Sequence, residues 1–280
     1  MINYKYIIII IALFVYTLII QYRYLAYFVP DKIIRYTPID FNMKFNEINI
    51  GKLNGWFFSN PNLNPNPNPN KHIMIYYHGN AGNISNRINT IKQLLNIFPN
   101  TDFYIFDYPQ FGISRGELNL SNIIGGSYKV YNYWATKYKN VSVIGESIGA
   151  GVFAEVFDLL IKLNYQNMPK NIIHLNGITS LRDIISNTIP YITRPFILPW
   201  VNELDPKKIY LKNITKLPNL IILHTPNDDI VPITFVNEFF HKLRISKSIK
   251  FIKIDGSHNN PIIDTNNIKR IQLAYINLTK

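Results

Sequence analysis

Short apolar runs alternate with longer stretches of helical period along most of this chain, and the alternation predicts its elements. From residue 72 onward the strand candidates are 73–77, 103–107, 141–144, 172–175, 220–224 and 249–254. Each is short, rich in β-branched or aromatic residues, and too continuous for a sheet with one face in water. Between them, segments 84–98, 123–137, 152–163 and 231–243 space their apolar residues three and four apart and predict helices. Segment 260–278 predicts a closing helix with a proline near its start. Regular alternation of strand and helix implies the α/β class, with a mostly parallel central sheet covered by helices on both faces.

Ahead of residue 60 the pattern predicts two strands around Gly51 and Gly55. Phe45, Ile48 and Ile50 are the burial candidates of one, and Leu53, Trp56 and Phe58 those of the other. Tract 60–70 repeats Asn and Pro, and proline cannot donate to a ladder, so it predicts an exposed loop rather than a boundary between folding units. Segment 180–217 sets Pro190, Pro195, Pro199 and Pro206 among large apolar side chains and predicts a short cap over a pocket.

The amino-terminal pattern is different. No charged side chain lies between Tyr6 and Tyr22, and residues 7–20 are almost unbroken apolar. Read as a helix to Val29, this predicts a transmembrane anchor over 1–29, with Arg23 reaching the interface beside Tyr22, Tyr24 and Tyr27. A small-residue cleavage site is missing, as is the polar face of an interfacial helix. Arg23, Lys32 and Arg35 outweigh Lys5, which predicts a single-pass protein with residues 30–280, the catalytic body, in the cytosol.

Composition narrows the chemistry. The 280 residues are 47% hydrophobic and 16% charged, enough for one catalytic-sized domain with its own core. With no cysteine, disulfides, thiolate metal sites and cysteine nucleophiles are excluded. A net charge of +12 would attract anionic partners, yet the lysines are scattered and no zinc finger or basic zipper organises them. Nucleic acid is therefore not an expected partner, and nothing points to a protein partner.

The sharpest local feature is Gly145-Glu146-Ser147-Ile148-Gly149, set between the predicted strand 141–144 and the predicted helix 152–163. Such a strand-to-helix turn projects a serine hydroxyl and leaves backbone N–H groups and a helix N-terminus facing a developing oxyanion. A serine hydroxyl needs a base and a group that orients the base. His258 follows the last predicted strand and is the candidate base; Asp228 and Asp229 follow strand 220–224, and either can accept the imidazole hydrogen bond. The chain order serine, acid, histidine is that of serine chemistry on an open α/β sheet. Upstream, His78-Gly79-Asn80-Ala81-Gly82-Asn83 follows strand 73–77, so the Asn80 and Ile148 backbone N–H groups are the candidate oxyanion donors, with His78 shaping the loop. No dinucleotide or phosphate-loop fingerprint and no compact metal-ligand cluster accompanies them, so no cofactor or metal is expected.

Together these blocks, with Asp107-Tyr108-Pro109-Gln110-Phe111-Gly112-Ile113-Ser114-Arg115-Gly116, Asp228-Asp229-Ile230-Val231-Pro232 and Gly256-Ser257-His258-Asn259, resemble the membrane-anchored alpha/beta-hydrolase domain-containing protein 13 and Bem46-like group of serine hydrolases. The resemblance covers most of the chain and implies the alpha/beta-hydrolase fold, with Ser147 as nucleophile, Asp228 as acid and His258 as base. Two departures stand out: the group commonly has Arg-Gly where this chain has Pro109-Gln110, and glycine where it has Ala150. The expected activity is cleavage of a carboxylic ester or thioester of an amphiphilic acyl substrate through an acyl-enzyme, on a membrane-anchored protein. A catalytically silent membrane-bound interaction protein and a serine peptidase or amidase are the alternatives.

Overall fold

A computed structural model describes residues 4–25, 28–59, 72–201, 203–245 and 248–277. Among them one sheet holds eight strands: β1 (Asn46–Glu47), β2 (Gly55–Phe58), β3 (His72–Tyr77), β4 (Thr101–Phe106), β5 (Asn140–Glu146), β6 (Asn171–Leu175), β7 (Asn219–His224) and β8 (Ile249–Lys253). Their spatial order is β1-β2-β4-β3-β5-β6-β7-β8. Every neighbouring pair from β4 to β8 is parallel, while β2 runs antiparallel to β4 and β1 antiparallel to β2. This is the mostly parallel sheet that the alternation predicts, in the alpha/beta-hydrolase architecture that the resemblance implies.

The helices are α1 (Tyr4–Leu25), α2 (Ile88–Ile97), α3 (Leu120–Ala135), α4 (Ile148–Lys162), α5 (Leu181–Thr188), α6 (Arg194–Ile197), α7 (Pro206–Lys212), α8 (Ile233–Leu243) and α9 (Thr265–Asn277). Strand β3 shows why the central runs are continuous rather than alternating. Ile73, Ile75 and Tyr77 pack with Val130 and Trp134 of α3, Val152 and Phe157 of α4 and Phe239 of α8 in one core cluster. Met74 and Tyr76 pack with Ile91 and Leu94 of α2 and Ile271 of α9 in the other. A strand covered on both faces has no position that water rewards with a polar residue.

Segment 180–217 folds as α5, α6 and α7 with short 3-10 turns, and it packs on the body through buried Leu181, Ile185, Leu204 and Tyr210. The Tyr210 ring meets Phe157 of α4 edge-on at 5.7 Å. Predicted helix 84–98 divides into a 3-10 turn, Ile84–Arg87, followed by α2. Predicted helix 260–278 starts later, at Thr265, because Asn260–Ile262 pairs antiparallel with Asp255–Ser257. Gly256 makes that hairpin possible at φ 96, a region that side chains disfavour. The Asn/Pro tract lies outside the described residues.

Gln110 sits at φ 72, the position where the resembling group commonly carries glycine. Its Nε2 donates to the Gly116 carbonyl, a bond that glycine lacks and that ties the loop to its own far end.

The amino-terminal helix is followed by residues that belong to the body. Phe28 is buried, with its ring edge-on to Tyr108 at 5.8 Å and to Phe111 at 6.3 Å. Val29 and Pro30 pair in parallel with Ala81 and Gly82, and Asn83 Nδ2 donates to the carbonyls of Asp31 and Ile33 at 3.0 and 2.8 Å. The body thus begins at Phe28, two residues ahead of the expected boundary. Among the described residues no helix is long and apolar enough to cross a membrane. The transmembrane span expected over 1–29 is thus not shown by the described residues, in which Tyr4–Leu25 is helical.

Candidate active site

Parallel strands send their carboxyl ends to one edge of the sheet, where the following loops converge. Ser147 stands in the tight turn between β5 and α4 at φ 51 and ψ −120, a strained conformation that costs a non-glycine residue about 1–3 kcal/mol. Backbone bonds hold it there. The Ser147 N–H donates to the Leu175 carbonyl at 3.1 Å, and its own carbonyl accepts from the N–H of Ile178 at 3.0 Å and of Ala150 at 3.2 Å. Gly149 lets α4 start against β3, since a Cβ there would stand 2.1 Å from the Tyr77 carbonyl oxygen.

His258 arrives at this turn from the hairpin after β8. Its Nε2 lies 2.9 Å from Ser147 Oγ and its Nδ1 2.8 Å from Asp228 Oδ2. All three side chains are buried. Asp228 Oδ1 accepts the N–H groups of Ile230 at 2.9 Å and Val231 at 2.7 Å, which leaves Oδ2 for the imidazole. Burial pushes the Asp228 carboxyl up, but the His258 hydrogen bond and these backbone donors outweigh it and hold it below its usual range. Asp228 is therefore ionised at neutral pH. An ionised partner places the imidazole proton on Nδ1 and turns the Nε2 lone pair toward the serine hydroxyl. Asp229 is exposed whereas Asp228 is buried against His258, which separates the two acids that the sequence leaves open.

The two expected oxyanion donors come to the same place. Asn80 and Ile148 line a cavity of about 210 Å³ together with Ser147, His258 and the apolar side chains of Ile178, Leu181, Ile184 and Ile230. Leu181 and Ile184 come from α5, so the segment read as a cap contributes part of the wall. A larger cavity of about 800 Å³ beside Ile39, Met43 and Phe45 is lined by Ser59 and Lys44 but by no histidine or carboxylate, so the serine, histidine and acid together rather than volume locate the site.

His78 is fully buried, and burial drives it down to about 3, so it is neutral. Its ring bonds the Gly79 carbonyl through Nδ1 at 2.7 Å, and the Tyr108 hydroxyl donates to its carbonyl at 3.0 Å. These are the contacts of a residue that shapes the loop. His224 approaches Asp228 Oδ2 only to 3.7 Å and bonds the Val231 carbonyl at 2.9 Å.

No family model matches the chain. It is 29% identical over 213 residues to uncharacterized protein R595 of Acanthamoeba polyphaga mimivirus, an alignment that covers 67% of each chain. It is 25% identical over 206 residues to Bem46 of Schizosaccharomyces pombe, covering 70% of this chain and 64% of that one. Among solved structures, the Pyrococcus furiosus esterase Pf2001 superposes with a TM-score of 0.65 at 15% identity, over 91% of this chain and 99% of that one. The chain has the alpha/beta-hydrolase fold and is similar in sequence to Bem46. It spans about two thirds of the length of these two curated relatives.

Three residues of this site carry no signal in the sequence. Asn176, at φ 46 just after β6, donates through Nδ2 to the carbonyls of Ser257 at 3.2 Å and His258 at 3.1 Å, and its Oδ1 accepts the Thr225 N–H at 2.9 Å. It ties the loop carrying the histidine to the loop leading to the acid. Glu146 and Arg87 form a largely buried ion pair at 3.0 Å on the cavity wall. Burial pushes the Glu146 carboxyl up, but the charge and hydrogen bond of Arg87 outweigh this and hold it low. Asparagine is too common in this chain for one to stand out, and the ion pair joins residues 59 positions apart.

Proposed function

We propose that this chain is a serine hydrolase that cleaves a carboxylic ester or thioester in two acyl-transfer steps. The observation that carries the reading is the unbroken line Ser147, His258, Asp228 at 2.9 and 2.8 Å, opening on a cavity whose walls are largely apolar. His258 takes the Ser147 proton as Oγ attacks the acyl carbonyl, and Asp228 stabilises the imidazolium that results. The N–H groups of Asn80 and Ile148 receive the oxyanion. Collapse expels the alcohol or thiol with the proton from His258, and water activated by the same imidazole then releases the acid and restores Ser147. The esterase named among the structural neighbours supports the ester class. A cavity of about 210 Å³ is smaller than the roughly 300–1,000 Å³ of sites that enclose drug-sized ligands, which favours a short acyl group within an amphiphilic substrate.

A fluorophosphonate probe tests this directly. It should phosphonylate Ser147 in the folded protein, and the label should vanish in Ser147→Ala. A label mapped to another serine would move the site, and a folded protein that takes no label would leave a catalytically silent hydrolase fold.

Helix α1 is the proposed means of attachment to lipid. Ile8 and Ile10 are each about two thirds exposed, and Ile7, Ile9, Ile11 and Phe14 are also open to solvent. Placing this many large apolar side chains in water is unfavourable by about 25 cal/mol per Å² of apolar surface, a gain available on transfer into lipid. Full-length protein should sediment with phosphatidylcholine vesicles, while a chain starting at Phe28 should stay in the supernatant at physiological salt. A full-length protein left in the supernatant would refute the attachment. A truncated chain that still sediments at low salt and is released at high salt would assign the attachment to the basic surface instead.

A further inference from the structure

The cavity wall beside Ser147 carries a charged pair that proton transfer does not use. Glu146 Oε2 accepts from the Gly79 N–H at 2.9 Å, from the Tyr76 hydroxyl at 3.1 Å and from Arg87 Nε at 3.0 Å. Arg87 in turn donates through one terminal nitrogen to the carbonyls of Ala81 and, at 3.4 Å, Asn83. The two side chains therefore grip the 79–83 loop on both sides of Asn80. On the outer side, the Val29 N–H donates to Asn80 Oδ1 at 2.8 Å, so the loop is held from within the body and from the amino-terminal segment.

We propose that Glu146 and Arg87 are positioning residues that fix the backbone of Asn80 as an oxyanion donor. The inference rests on the serine-hydrolase reading and extends it to a pair that touches neither the reacting proton nor, directly, the oxyanion. Glu146 immediately precedes Ser147 in the chain, so its carboxylate is a direct link between the nucleophile turn and the loop opposite. Displacement of either end alters the distance between Ser147 Oγ and the Asn80 N–H. Stability alone is a poor reason for such a pair: taking two charges out of water costs several kcal/mol per ion, and apolar replacements of similar volume are often as stable or more so. A backbone donor, by contrast, must meet the transition state within a few tenths of an ångström, and misplacement by about 1 Å costs on the order of 100-fold in rate.

Removing one partner alone leaves a buried unpaired charge, so Arg87→Met or Glu146→Leu by itself tests folding as much as catalysis. The paired variant Arg87→Met with Glu146→Leu removes both charges and keeps side-chain volume. Its kcat on a chromogenic short-chain ester should fall on the order of 100-fold, with KM and melting temperature little changed, because the acyl group still binds but the oxyanion is poorly met. Combining Glu146→Gln with Arg87→Met leaves no unpaired charge but retains an acceptor for the Gly79 N–H, and should recover most of the lost kcat. A paired variant with wild-type kcat, or one whose activity falls only in step with its folded fraction, would overturn the positioning role while leaving the serine-hydrolase reading in place. A folded wild-type protein that neither labels at Ser147 nor turns over ester would remove both.

Discussion

Ser147→Ala and His258→Ala should each lower kcat by on the order of 10⁶-fold, and the double variant should be no worse than either alone. The expectation follows from the single hydrogen bond that joins them at 2.9 Å. The hydroxyl has no nucleophilic strength without the imidazole to take its proton, and the imidazole has nothing to activate for attack without the hydroxyl. Two groups that act only together do not contribute independent factors, so the double-variant cycle is a sharper test than the single losses. What remains above the uncatalysed rate comes from substrate binding and the backbone donors, neither of which these changes touch. Ser147→Ala should also melt close to wild type, because it removes one hydroxyl from a turn held by backbone bonds to Leu175, Ile178 and Ala150. Losses that multiply in the double variant would show that serine and histidine work in separate steps, and turnover retained by Ser147→Ala would place the nucleophile elsewhere.

The sheet was readable because its strands are fully covered. Residues 73–77 and 103–106 are buried on both faces, so they stand out as short apolar blocks against the longer helical period around them. The line of serine, acid and histidine was readable for a related reason: each sits just past a strand that the pattern had already located, at the edge where parallel strands deliver their loops. Local pattern fails where long-range pairing decides. Asn260–Ile262 carries residues that suit the start of a helix, yet it becomes a strand because Asp255–Ser257 lies opposite it. Phe28 looks like the tail of the apolar leader until Tyr108 and Phe111 close over it. The choice between Asp228 and Asp229 could come only from direction, since adjacent residues share their sequence context and differ in which way the turn points them.

That direction supports the second large effect. Asp228→Asn should lower kcat by on the order of 10⁴-fold, while Asp229→Asn should leave it near the wild-type value. The amide oxygen of asparagine can still accept a bond, but its NH₂ group can donate to imidazole and favour the tautomer with the proton on Nε2, which faces Ser147 and cannot then act as base. Asp229 is exposed and makes no bond to His258, so its amide changes only a surface charge. The pH dependence of stability gives an independent readout. The Asp228 carboxyl is held below its usual range in the folded protein, so it binds protons less readily there than in the unfolded chain. Its contribution is therefore present above the unfolded carboxylate pKa of about 3.9 and is lost as the pH falls through the lower folded value. Wild-type stability should consequently fall more steeply than that of Asp228→Asn as the pH drops below about 4. Equal kcat losses in the two asparagine variants would remove the geometric basis for assigning Asp228, and acid-range stability curves of equal slope would show that its carboxylate is not held by the His258, Ile230 and Val231 bonds.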